Sequence, residues 1–165
     1  SGAKPTGTVP HAAILIAGDT VRVARVFDEI MEDDVPRIML VDTFKDEAEE
    51  AIRVAEALKG RLAAVRLDTP SERGGVTPQL VTEVRSWLDH LGYNSVGIVV
   101  SGGLTPQRII TLKQAGAGFF GVGSYVSAAQ PIEMTMDIKE IEGRAVAKRG
   151  RLPGPSNASK LVKII

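Results

Sequence analysis

The sequence predicts an α/β fold: about five parallel βα units followed by an antiparallel hairpin, laid out as an open doubly wound sheet or as part of a (β/α) barrel. Three observations predict it. Short apolar runs recur at fairly even spacing along the 165 residues. Amphipathic stretches with helix start and stop signals lie between them. After about residue 130 the pattern changes to an alternating one that turns at Glu142-Gly143.

The apolar runs are AAILIAG at 12–18, RIMLVDT at 37–43, LAAVRLDT at 62–69, VGIVVSGG at 96–103 and GFFGVGS at 118–124. Each is short, rich in Val, Ile and Leu, and continuous rather than alternating. Strands buried on both faces of a parallel sheet read this way. On this reading His11 stands at the mouth of the first strand.

The intervening stretches read as helices. DTVRVARVFDEIMED places Val21, Ala24, Val26, Phe27 and Ile30 near one face. KDEAEEAIRVAEALKG is acidic early and ends at Gly60. TPQLVTEVRSWLDHLG and TPQRIITLKQAG both open with a capping threonine, Thr77 and Thr105, and a proline at the first helical position. Gly92 and Gly116 stand where these two should stop. Trp87 reads as a packing residue, and His90, near a helix end, as a partner of the C-terminal dipole. IEMTMDIKEIEGRAVAKRGR reads as the hairpin, and LPGPSNASKLVKII as a tail that is mobile unless docked. The expected division is therefore 1–130, 131–151 and 152–165.

Composition bounds the function. One domain fits the length, and 44% hydrophobic residues suffice for a core. Twenty basic residues balance twenty acidic ones, so no net field favours nucleic acid or an anionic membrane. There is no cysteine, which excludes disulfides, thiolate metal sites and a thiol nucleophile. No apolar run approaches the ~20 residues of a spanning helix, and nothing reads as a signal peptide. The expectation is a soluble, cytoplasmic protein without nucleic-acid or membrane partners.

Polar residues gather at the C-terminal ends of the predicted strands, where α/β folds bind ligands. They are Asp42-Thr43, Arg66-x-Asp68-Thr69, Ser101-Gly102-Gly103 and Gly121-x-Gly123-Ser124. Asp42 alone would serve equally as a helix cap. Arg66 and Asp68, two residues apart, point the same way and form either a structural ion pair or part of a site. The Ser-Gly-Gly turn opens on a helix N-terminus, which suits a phosphate, and the second glycine-rich strand end strengthens that reading. Arg73, beside Gly74-Gly75, is either a solvated loop residue or a mobile arginine that closes over an anionic substrate.

Taken in order, GTVPHA, LVDT, VRLDTPSERGG, VSGGL, FGVGS and DIKEIEGRAVAKRGR resemble nicotinate phosphoribosyltransferases, the archaeal type above all, within the nicotinate, nicotinamide and quinolinate phosphoribosyltransferase group. The resemblance runs from about residue 4 to 154 and implies a partial (β/α) TIM-like barrel. It implies transfer of phosphoribosyl from 5-phosphoribosyl-1-pyrophosphate to nicotinate, with ATP as co-substrate and magnesium carried on the substrate pyrophosphate. By resemblance His11 is the histidine phosphorylated from ATP. Arg66 then contacts the nicotinate or ribosyl-phosphate region, with Thr69 and Arg73 also binding substrate. Asp68 and Asp42 hold ribose hydroxyls or magnesium and stabilise charge developing on the ribose. Ser101, Gly102, Gly103, Gly121, Gly123 and Ser124 cradle the 5-phosphate. No residue is assigned as a direct protein ligand of a metal.

Complete members of that group begin with a further α/β domain, which carries pyrophosphate-binding arginines and an aromatic that stacks on the pyridine ring. The chain reads as a fragment without it. An association with copies of itself, or with a partner chain supplying that part, is therefore expected. A nicotinamide or quinolinate acceptor is an alternative, although the histidine motif speaks against quinolinate enzymes. A half-barrel that binds phosphate without catalysis would bind a mononucleotide and show no turnover. An unrelated phosphate-binding barrel with isomerase or lyase chemistry is a further alternative, weakened because no paired Lys and Glu stand at the strand ends of this sequence.

Overall fold

The computed structural model describes residues 8–155. Four strands form one parallel sheet whose spatial order is the chain order: β1 (Arg37–Leu40), β2 (Leu62–Leu67), β3 (Gly97–Ser101) and β4 (Phe119–Gly121). Helices α3 (Glu47–Leu58), α4 (Pro78–His90) and α5 (Pro106–Gln114) make the three crossovers. Before β1 come α1 (His11–Ala17) and α2 (Thr20–Ile30), and a short α6 (Ser124–Ser127) follows β4. Each strand is shorter than its apolar run, because the polar residues at the run's end have already left the sheet.

The helices start where the caps dictate. Asp19 accepts from the Arg22 amide, Asp46 from those of Ala48 and Glu49, Thr77 from Leu80, and Thr105 from Arg108. α2 packs on α3, α3 on α4, and α4 on α5. Together they bury one face of the sheet through Met39, Val65, Leu67, Ile98 and Val100, against Val54, Val84, Leu88 and Leu112. Burying such side chains contributes roughly 1.5–3 kcal/mol each.

The run 12–18 is not a strand. It is α1, so the sheet has four parallel strands rather than about five, and His11 opens a helix. A seven-residue apolar run does not distinguish helix from buried strand by its periodicity. Three features decide for helix. Ala12, Ala13 and Ala17 are the best helix formers, Pro10 precedes the first turn, and Gly18 ends it at φ 74° with its amide bonded to the Ile14 carbonyl. Only Ile14 of the run is fully buried, while Leu15 and Ile16 face outward.

Trp87 is not a core residue. It is 47% exposed, with its ring edge-on to His90 at 6.1 Å between centroids. Its helix face points away from the sheet, which Val81, Val84 and Leu88 cover instead.

The chain divides into two compact units between Ala129 and Gln130. The second contains the hairpin, reduced to β5 (Glu140–Ile141) and β6 (Arg144–Ala145), with Glu142 and Gly143 both at positive φ in the turn. The Gly154 amide bonds the Lys139 carbonyl, and Arg151 pairs with Asp137. The segment 132–139, expected to alternate as a strand, is not in one. The expectation of a mobile tail falls, from 156 onward, outside the described residues. No described helix is long and apolar enough to cross a membrane.

Candidate active site

Parallel pairing brings the strand ends together. Arg66 stands opposite Val99, so Asp68, two residues on, arrives beside Ser101. The Arg66 guanidinium donates from Nε to Ser101 Oγ at 2.8 Å, from Nη1 to Thr8 Oγ1 at 2.8 Å and from Nη2 to Asp68 Oδ2 at 3.1 Å. Ser101 Oγ in turn donates to Asp68 Oδ1 at 2.8 Å. Arg66, Asp68 and Ser101 therefore form a closed hydrogen-bonded triangle across two strands. A guanidinium has five N–H donors, and three are engaged here, which leaves one on each Nη. Two such donors in one plane suit a carboxylate or phosphate. Thr8 is a site residue that sequence reasoning missed, since nothing local marks a threonine 58 residues from its partner.

His11 and Asp42 form the second constellation. His11 Nε2 lies 3.2 and 3.1 Å from the two Asp42 carboxylate oxygens. The carboxylate is 2% exposed and the imidazole 39%. Burial raises the Asp42 carboxyl above its ordinary range, the hydrogen bond from His11 pulls it back, and the charge of Asp68 adds to the rise. A carboxylate on one ring nitrogen fixes the tautomer and leaves Nδ1 as the acceptor nitrogen. Asp42 is thus a partner of His11 in this structure.

Thr69 and Arg73 converge on a residue that the sequence did not single out. Thr69 donates its hydroxyl to Glu47 Oε1 at 2.8 Å, and Arg73 straddles the same carboxylate from Nη1 at 3.2 Å and Nη2 at 3.4 Å. Glu47 is 1% exposed in the first turn of α3. Nothing local marks it in the sequence, because its burial and its partners Thr69 and Arg73 become visible only in the fold.

A cavity of about 960 Å³ opens along the sheet face that the helices leave uncovered. Ile38, Ala64, Val99 and Phe119 form its apolar wall. At its strand-end rim stand Arg66, Asp68, Ser101, Gly102, Gly103, Gly121, Gly123 and Ser124, so eight of the sequence-predicted residues share one wall. His11, Asp42, Thr69 and Arg73 do not line it. Glycine is required at the rim: Gly102 and Gly103 sit at φ 89° and 56°, and a Cβ on Gly102 would come within 3.1 Å of Asp68 Oδ1. Among the described residues, no three His, Asp or Glu side chains cluster as a metal cage.

Three comparisons with known proteins bear on this geometry. The family model described as quinolinate phosphoribosyl transferase, C-terminal domain, matches residues 2–137. The nicotinate phosphoribosyltransferase pncB1 of Mycobacterium tuberculosis is 33% identical over 114 residues, covering 67% of this chain and 24% of that protein. The nicotinate phosphoribosyltransferase of Bacillus subtilis is 28% identical over 128 residues, covering 75% of this chain and 25% of that protein. The crystal structure of nicotinate-nucleotide pyrophosphorylase from Pyrococcus furiosus matches 93% of this chain and 39% of its own, at 48% identity and a TM-score of 0.76. The chain spans about a quarter of the length of these curated relatives.

Proposed function

The chain belongs to the quinolinate phosphoribosyl transferase C-terminal domain family, and from that membership we propose that it is the barrel portion of an enzyme that makes nicotinate mononucleotide. The substrates are nicotinate and 5-phosphoribosyl-1-pyrophosphate. The bond from ribose C1 to the pyrophosphate oxygen breaks, the pyridine nitrogen bonds to C1, and pyrophosphate leaves. The observation that carries this reading is the Arg66–Ser101–Asp68 triangle, set beside two glycine-rich strand ends on one cavity.

Each residue then has a physical task. The two remaining Arg66 donors match the planar carboxylate of nicotinate. Asp68, whose carboxylate Arg66 and Ser101 hold in place, faces positive charge as it develops on the ribose. Gly102, Gly103, Gly121, Gly123 and Ser124 let the backbone approach the 5-phosphate closely. Magnesium fits as an ion carried on the pyrophosphate oxygens, since such ions need few protein carboxylates. ATP enters as a second substrate: the His11 imidazole takes its terminal phosphoryl group at Nδ1, ADP leaves, and Asp42 balances the charge on the ring. The resulting phosphohistidine is hydrolysed in each cycle. Quinolinate is the second reading, favoured by the description of the family model.

The test is calorimetric titration of the chain with nicotinate mononucleotide, repeated on Asp68→Ala. Affinity should fall by about tenfold or more in the variant, the worth of one hydrogen-bonded charge. Undiminished binding would place the ligand elsewhere. Turnover of nicotinate against quinolinate and nicotinamide, with and without ATP, then separates the acceptors.

A further inference from the structure

Arg108 has no part in the site described so far. It is the third residue of α5 and does not line the cavity. Its guanidinium nevertheless reaches back over the β3–α5 turn. Nη1 donates to the Gly103 carbonyl at 3.0 Å and lies 3.5 Å from that of Gly102, while Nη2 donates to the Val76 carbonyl at 2.9 Å. One side chain thus ties the glycine turn after β3 to the loop after β2.

The peptide plane turns this contact into a statement about the opposite face. Across a trans peptide, the carbonyl of one residue and the N–H of the next point in opposite directions. Arg108 draws the carbonyls of Gly102 and Gly103 to the helix side. The amides of Gly103 and Leu104 therefore face away from Arg108; both glycines line the cavity and Arg108 does not. Two glycines in succession at positive φ are free to take many other orientations, so a device that fixes them has work to do.

We propose that Arg108 is a positioning residue for phosphate recognition: it holds two carbonyls away from the cavity so that the amides of Gly103 and Leu104 are presented to a phosphate monoester. This rests on the phosphoribosyl reading above. A lysine at this position would supply a point charge without the planar fork that spans the Val76 and Gly103 carbonyls.

The experiment compares two probes on the purified chain: nicotinate mononucleotide and nicotinate riboside, which lacks the phosphate. The wild type should prefer the mononucleotide by about tenfold or more, as a charge-assisted hydrogen bond gives. Arg108→Met should lose most of that preference while its affinity for the riboside stays within about twofold, and Arg108→Lys should recover little of it. A preference retained in both variants overturns the role of Arg108 and leaves the phosphoribosyl reading standing. No preference in the wild type overturns that reading and this inference with it. A measurement on the wild type stands beside these if a variant does not fold. Titration of the 15N-labelled chain with inorganic phosphate should shift the Gly103 and Leu104 amide signals most, and largest shifts elsewhere would overturn the proposal.

Discussion

Asp42 shows most directly what a single residue contributes. Its carboxylate is buried under α1 and answered by one imidazole. Burial raises its pKa in the folded state above the ordinary value of about 3.9. The folded chain therefore holds this proton more tightly than the unfolded chain does, and ionising Asp42 costs stability. The contribution is greatest below the unfolded value and is lost as pH rises through the folded one. Unfolding free energies of the wild type and Asp42→Asn, measured against pH, should show the wild type losing ground as pH rises from about 4. A difference that grows with pH would mean that the pair with His11 outweighs burial. His11, Asp42, Arg66 and Asp68 could all be found in the sequence as polar residues beside apolar runs. That His11 and Asp42 are bonded could not, because 31 residues separate them and only the fold brings them together.

At the scale of elements, the junction between α2 and β1 is fastened by Arg37. This guanidinium is 2% exposed. It donates to the Asp28 carboxylate and to the carbonyls of Asp28, Met31, Glu32 and Val35. Those carbonyls belong to the last turn of α2 and the loop after it, so one strand residue satisfies groups that a helix end leaves open. Arg37→Met should lower the unfolding free energy in urea by about 1–3 kcal/mol, because the carbonyls of Asp28, Met31, Glu32 and Val35 lose their shared donor while Asp28 keeps Arg61. A loss comparable to that of an exposed surface substitution would show that water replaces the arginine. Elements with explicit punctuation were legible in advance: Thr77-Pro78 and Thr105-Pro106 begin α4 and α5 where the sequence places them. α1 was not, because a short apolar run carries no period and its alanines and Gly18 were outweighed by its likeness to the strands that follow. Glu47 and Arg108 were missed for a related reason. Their partners are loop groups, and loop conformation leaves little trace in composition.

At the scale of the molecule, among the described residues of the first unit the helices cover one face of the sheet. The other face carries the cavity, and Phe119 on β4 is 61% exposed. Among the described residues β1 and β4 each pair on one side alone. Unpaired edges and an open apolar face favour association with another chain. Sedimentation should therefore show mass rising with concentration, and Phe119→Lys should reduce it. A wild type monomeric at every concentration would show that the open face is tolerated in water.

The coincidence of strand order with chain order has a consequence for how such a protein can be divided. Among the described residues each strand of the four-stranded sheet pairs only with its neighbours in the chain, so no crossover has to reach past a neighbour. A seam placed at the middle connection would part the sheet into two blocks, β1 with β2 and β3 with β4, that each keep their internal ladder. Two such blocks would rejoin edge to edge along the single ladder between β2 and β3, with no segment to thread.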